Sequence, residues 1–295
     1  MEIIKDTKIN GTLVIKEIDY DTAKKMMIEK HYSHKWNTSF GKINIGVFKD
    51  GRLLGACVFG NLMNPNSHSN ISEFGKESVV ELNRMWLDDE LGKNAETVLI
   101  SSSFKIIKHC YPDVKFVQSF ADGRLGCGTV YKASNFKYFG FDESLFFKDK
   151  ITEEVFHKVP LENTKRPIGF LCKNRGYLDG NLQAFKVKTF KYIYELYPKC
   201  KCKLKQIPYP EYSIGYEDVE FNHPIGLLCR LGIMYKAIGD CKYAKKVYDE
   251  LLKYYGKDVI LKEIENQKTN ESVKWFLTDY INNPKNIESL LKRGE

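Results

Sequence analysis

The stretch Glu81–Asp122, ELNRMWLDDELGKNAETVLISSSFKIIKHCYPDVKFVQSFAD, decides the fold. ELNRMW alternates apolar and polar residues well enough to read as a strand. LGKN then breaks the pattern, and AETVLISSSFKIIKHCY carries apolar residues at helical spacing until Pro112 ends it. VKFVQSFAD, rich in β-branched and aromatic residues, is a second strand. Strand, crossover helix and strand within about forty residues predict an α/β sheet.

Working outward, GTLVIKEI (11–18) reads as a strand and YDTAKKMMIEK (20–30) as a helix capped by Asp21 or Thr22. HYSHKWNTSFGK (31–42) has no period and reads as a loop. INIGVFK and RLLGACVFG flank Asp50-Gly51, a strong hairpin signal. NLMNPNSHSNISEFGKES is a polar loop. GTVYKASNF predicts a short helix after a glycine-rich turn, and KYFGFDESLFFK a closing strand. Residues 150–211 read as short basic and aromatic segments. HPIGLLCRLGIMYKAIGDCKYAKKVYDELLKYYG and SVKWFLTDYI are helical, so residues 212–295 form a separate helical module.

With 295 residues, the chain can bury one large core or two smaller ones. No run is long and apolar enough to cross a membrane, and the N-terminus lacks a basic-then-apolar segment, so neither a span nor a secretory signal is expected. Eight cysteines without a CxxC pair read as reduced cytosolic thiols; Cys200 and Cys202 form a CxC that is half a metal site or, more simply, two thiols in a basic loop. A net charge of +8 suits a polyanionic partner without requiring one.

Three places carry chemistry. The β-to-α junction at Asn94–Thr97 exposes helix-start N–H groups, which bind anions, or is a plain connection. Asp122 ends a strand at a glycine-rich turn, where open α/β sheets place ligands, or simply makes the turn. His31-Tyr32-Ser33-His34-Lys35-Trp36 gathers proton carriers and stacking rings, or is a surface loop with a tucked-in aromatic.

In their order, HYSHKW, GVFKDGRLLGACVFG, ELNRMWLDDELGKNAET and KFVQSFADGRLGCGTVYKASNFKYFG resemble the bacteriophage Mom proteins. FKYIYELYPKCKCKLKQIPYPEY is similar to that family's closing segment, so the resemblance covers roughly residues 12–211. It implies an acetyltransferase-like (GNAT) mixed central sheet flanked by helices over residues 1–211, with residues 212–295 as a helical extension of unknown role. It also implies a DNA-modifying transferase that converts adenine to an N6-carbamoylmethyl (acetamido) or related form, protecting phage DNA from restriction inside the bacterial cytoplasm. The N6 amine faces the major groove, where restriction enzymes read adenine, and lies within the base pair, so the base must be flipped out to react.

Carried over by position, the resemblance places His31, Tyr32, Asp122 and Tyr131 at the reacting centre, Tyr131 as proton donor. It places Arg84, Asn94, Ala95, Thr97, Ser102 and Ser103 at the donor site. Iron, with His31 and Asp122 as ligands, is implied as well. Lys35, Trp36, Lys186, Lys188, Lys191, Tyr192, Lys201 and Lys203 are the expected contacts to double-stranded DNA. The loop Leu91–Glu96 departs from the QxxGxG/A pattern of acetyltransferases. The donor therefore stands as acetyl coenzyme A or another activated small molecule. The oligomeric state, a dimer included, stays open. Two other readings compete: a general acyltransferase acting on a protein, RNA or small molecule, and a non-catalytic DNA-binding anti-restriction protein.

Overall fold

The computed structural model describes residues 1–268, 274, 278–279 and 281–283. They form β1 (Glu2–Thr7), β2 (Gly11–Glu17), α1 (Tyr20–Lys30), β3 (Ile43–Lys49), β4 (Arg52–Gly60), α2 (His68–Ile71), β5 (Val79–Leu87), α3 (Ala95–Cys110), β6 (Phe116–Asp122), α4 (Thr129–Ala133), β7 (Lys137–Asp149), β8 (Val155–His157), α5 (Val159–Glu162), α6 (Pro167–Leu178), β9 (Leu182–Glu195), β10 (Tyr216–Asp218), α7 (Ile225–Ala237), α8 (Cys241–Tyr254) and α9 (Lys257–Asn266). Most of the helix expected over SVKWFLTDYI lies outside the described residues. Among the described residues no helix is long and apolar enough to cross a membrane.

The chain divides into two compact units, residues 1–143 with 187–216, and residues 144–186 with 217–295. The expected boundary at 211/212 misses the excursion between β7 and β9. Phe170 and Leu171 of α6 share a core with Leu228, Val247 and Tyr248, so residues 144–186 belong with the C-terminal helices.

The first unit is a mixed α/β sheet flanked by helices, with strands in the order β1-β2-β3-β4-β5-β6-β9-β7. Every register given for that unit is antiparallel except β5 with β6, the pair joined through α3. The β3–β4 turn is the hairpin expected, with Asp50 and Gly51 both at positive φ (50° and 75°). Helix α1 spans the residues expected, but Asp19, not Asp21 or Thr22, is the cap, accepting from Thr22 N at 2.8 Å. Helix α3 turns Leu99, Ile100, Phe104, Ile106 and Ile107 onto the sheet, where they meet Val80, Leu82, Val117 and Ala121. Helix α1 covers the opposite face: Ala23 and Met27 pack with Phe40, Ala56 and Val58.

Candidate active site

Strands β5 and β6 run in register only from Val79–Phe116 to Leu82–Ser119. Beyond that, β5 stays with β4 while β6 stays with β9, so the sheet opens at its centre. A cavity of about 360 Å³ fills the opening, and His31, Tyr32, Arg84, Asp122 and Tyr131 all line it. Five side chains from four separate segments of sequence thus meet at one point.

A bulge sets which of them face each other. Phe59 pairs with Leu82 and Val58 with Arg84, leaving Asn83 as the extra residue of β5. In a regular strand Glu81 and Arg84, three apart, would point to opposite faces. The bulge puts both on the α1 face, with the Arg84 guanidinium 4.7 Å from the Phe40 ring centre. Arg84 Nη1 donates to Asn83 O at 2.6 Å, and its buried Nε has no protein partner. Alternation along β6 likewise turns Gln118, Phe120 and Asp122 to the α1 face, since Val117 and Ala121 belong to the α3 core.

Asp122 is held by its own turn. Its Oδ1 accepts from Arg124 N and Nε, both at 3.0 Å, and Oδ2 accepts from Arg124 Nη2. Burial alone would raise this carboxyl; the Arg124 bonds outweigh it and hold Asp122 below the usual carboxylate value. Tyr32 donates to Asp122 Oδ2 at 3.3 Å. Burial of its hydroxyl and the charge of Asp122 push Tyr32 up to about 12, although much of its ring is exposed. His31 is only 7% exposed and lies against Tyr32, ring centres 4.3 Å apart. Its Nδ1 accepts from Ser33 N at 3.1 Å, so the proton of the neutral ring sits on Nε2. Burial, then Arg84 and His34, bring His31 down to about 4.

Tyr131 belongs to the α3 side, packed on Tyr192 and Phe136 at 5.2 Å each. Burial raises its pKa, opposed by a hydrogen bond with Ser119, so it stays a proton donor at neutral pH. Gly128 allows that packing: at φ 90° it is left-handed, and a Cβ there would lie 2.8 Å from both Ala121 Cβ and Tyr192 Cε2. Gly128→Ala should therefore destabilise the fold by about 2 kcal/mol or more, read as a lower urea midpoint. An unchanged midpoint would count against a strained turn.

Beside this cavity lies a second one of about 330 Å³, and Phe120 lines both. Its floor holds Glu81, which is 5% exposed and accepts from Gln118 Nε2 (3.1 Å), Asn83 Nδ2 (3.0 Å) and Met63 N (3.4 Å). Burial raises this carboxyl, against the pull of those bonds. Glu81, Gln118 and Arg124 escaped the sequence reading. The adjacency of Glu81 to Arg84 and of Arg124 to Asp122 was the available signal.

The other expected positions lie outside the lining of this cavity. Ser102 and Ser103 belong to α3 and are wholly buried, against the expectation of a donor contact. Tyr192 is 1% exposed and donates to Cys127 O, so it belongs to the core and stacks on no DNA base. Trp36 packs edge-on against Tyr20 and Phe40 and donates to Tyr20 Oη at 2.8 Å, so its ring is engaged in the fold. Asn94 starts α3 in the left-handed region without a side-chain cap bond, and Ala95 is buried. Thr97 Oγ1 donates to Asn94 O at 2.9 Å. Lys191 pairs with Asp142 at 3.3 Å, Lys201 with Glu195 at 3.6 Å, and Lys203 donates to Ser69 O at 2.7 Å. Lys188 lies 4.8 Å from the Phe141 ring centre; Lys35 is exposed, and Lys186 falls in the second unit.

The donor set does not fit the implied iron. Nδ1 of His31 is taken by Ser33, its Nε2 carries the proton, and both oxygens of Asp122 are neutralised by Arg124. Among the described residues no three His, Cys, Asp or Glu side chains gather to hold a metal. Cys200 and Cys202 are free thiols packed against the cluster of Leu62, Ile71 and Phe116.

The split mixed sheet flanked by helices is of acetyltransferase-like build. A model of the Mom protein family matches residues 12–211, and the chain belongs to that family. The methylcarbamoylase Mom of Escherichia phage Mu is 36% identical over 201 residues, 64% of this chain and 80% of that protein. An N-acetyltransferase from Staphylococcus aureus Mu50 (11% identity, 62% of this chain, 97% of that chain) superposes with a TM-score of 0.34. An IAA acetyltransferase from Bacillus cereus (11% identity, 62% and 99%) does so with a TM-score of 0.36.

Proposed function

We propose that the protein transfers a carbamoylmethyl (acetamido) or related small group to N6 of an adenine flipped out of double-stranded DNA, in the cytoplasm of a bacterial host. The observation that carries this is the Tyr32–Asp122 hydrogen bond lying across the split from Tyr131. It supplies a proton acceptor on one side and a proton donor on the other.

In the reaction a bond forms between N6 and the donor carbon, and the bond from that carbon to its leaving group breaks. N6 becomes strongly acidic as it is substituted, so a weak base suffices. Tyr32 takes the N6 proton and passes its own along their hydrogen bond to Asp122, which the Arg124 contacts keep ionised at neutral pH. Tyr131 protonates the departing group. His31, neutral at pH 7, offers Nε2–H to developing negative charge, and Arg84 adds a fixed cation. The N–H groups at the start of α3, from Asn94 to Thr97, suit an anionic part of the donor. Acetyl coenzyme A supplies an acyl carbon, whereas a carbamoylmethyl group is joined through a methylene. Acetyl coenzyme A would thus leave an N6-acetyl group, and the carbamoylmethyl product needs an activated small molecule with its leaving group on the methylene carbon; the residue roles are the same for both. Lys35, Lys188, Lys191, Lys201 and Lys203 of the first unit supply charge for the DNA phosphates.

Nucleosides from DNA of cells expressing the protein, analysed by mass spectrometry, test this. A modified adenosine is expected, and Asp122→Ala should reduce it by roughly 10²-fold or more. Unmodified DNA despite soluble wild-type protein would sink the reading. Protection from restriction that survives deproteinisation separates covalent change from masking by a bound protein.

A further inference from the structure

The roles above use neither the buried carboxyl of Glu81 nor the cavity beside the split. The second cavity, about 330 Å³, lies over the α1 face of β5 and β6, within the range of small-ligand sites. Its floor is the register pair Glu81 and Gln118, 5% and 4% exposed. Phe120 forms one side and continues into the reacting cavity. Asn64, Ser67 and Asn70 of the β4–β5 connection line the other side.

This lining selects a chemistry. Glu81 and Asp142 against the single Lys191 disfavour an anion such as a phosphate or a phosphorylated donor. The amides and the phenyl ring suit a neutral heterocycle that stacks on one face and hydrogen-bonds at its edge. Gln118 spends one N–H on Glu81, so its amide keeps a second N–H for a ring nitrogen at the floor.

We infer that this cavity is the seat of the extruded base: a purine flipped from duplex DNA stacks on Phe120 with a ring edge toward Gln118 and its amino edge at the split, where Tyr32 and Tyr131 act. The inference rests on the DNA-modification reading and adds the site that chooses the base. A purine on Phe120 has one edge at the split, beside Arg84, because Phe120 belongs to both cavities. Lys191, paired with Asp142 at the same cavity, is close enough to exchange its partner for a flanking phosphate.

The test fills the cavity from its exposed wall. Asn70 is exposed and lies outside the strands, so Asn70→Trp should fold, which a thermal melt checks. The probe is a duplex carrying 2-aminopurine at adenine positions, which brightens when the base leaves the stack. Wild-type protein is expected to raise the signal. Asn70→Trp should abolish that rise and cut modified adenosine at least roughly tenfold, with duplex affinity within about twofold, since phosphate contacts carry most of it. A folded Asn70→Trp that brightens the probe and modifies DNA like wild type overturns the seat and leaves the transfer reading intact. A wild-type signal that Asn70→Trp cancels, without modified adenosine from either, keeps the seat and removes the transfer. No signal and no product from wild type overturns both.

Discussion

Tyr131→Phe is expected to slow formation of modified adenosine by roughly 10²–10⁴-fold, the span of a lost general acid. The substitution removes one oxygen and keeps the ring, which is held between Tyr192 and Phe136 at 5.2 Å each. Packing is therefore preserved. The hydroxyl's hydrogen bond with Ser119 is lost, at a cost of about 1 kcal/mol, because Ser119 still donates to Leu82 O at 3.1 Å. DNA affinity should stay within about twofold, since Tyr131 faces α3 and the phosphate contacts lie elsewhere. Burial raises the tyrosine, so it remains protonated at neutral pH, and the wild-type rate should show no alkaline fall from this group until well above pH 8. Single-turnover assays on purified protein and DNA read the rate, and a filter-binding titration reads the affinity. A Tyr131→Phe protein as fast as wild type would remove Tyr131 from the chemistry. A matching loss of rate and affinity would make it a structural residue.

The crossover that places Tyr131 and Asp122 was legible because it rests on local patterns: Asp50-Gly51 in the hairpin, the helical spacing of α3, and Pro112 after it. What was not legible depends on pairing between distant strands. Glu81 and Arg84 share a face only because β4 leaves Asn83 unpaired, and nothing in ELNRMW shows a bulge. The same holds for β9, a 14-residue strand read as short basic segments. Its Lys and Tyr alternate between core and surface, so a tyrosine suited to stacking on DNA turns out to be Tyr192, sealed against Cys127. Ser102 and Ser103 fail similarly: helical spacing says which residues share a face but not that the face is the buried one. The five residues that line one cavity, His31, Tyr32, Arg84, Asp122 and Tyr131, were named from the order of motifs rather than from any one motif. Only the split of the sheet explains why that order works.

Acid should destabilise the protein earlier than its carboxylates alone would allow, through two histidines that fold neutral. His31, 7% exposed, and His223, fully buried, both come down to about 4 from an ordinary 6.5, each chiefly by burial. Geometry explains why neither takes a second proton. Nδ1 of His31 already faces the Ser33 N–H. His223 uses Nε2 on Asn174 Oδ1 at 2.6 Å, and its buried Nδ1 has no partner to receive a new N–H. The unfolded chain binds these protons below pH 6.5 and the folded one only near 4, so stability falls as pH drops through that window and levels off below it. At pH 5 each histidine should cost about 2 kcal/mol relative to pH 7.5, approaching about 3 kcal/mol at pH 4. Asp122 acts with the same sign in a lower window: its folded value is depressed, so its contribution is lost only as pH falls through the carboxylate range. The two histidines lie in different units, so each unit should show its own share. Urea titrations at pH 7.5 and 5 measure it. His31→Gln should be less stable than wild type at pH 7.5, having lost the contact with Tyr32. Its difference between the two pH values should nonetheless shrink by about 2 kcal/mol. His223→Gln should do the same for the second unit. Urea midpoints that do not move between pH 7.5 and 5 would show that these rings accept protons in the folded state, and His31 could then no longer be a neutral donor at the split.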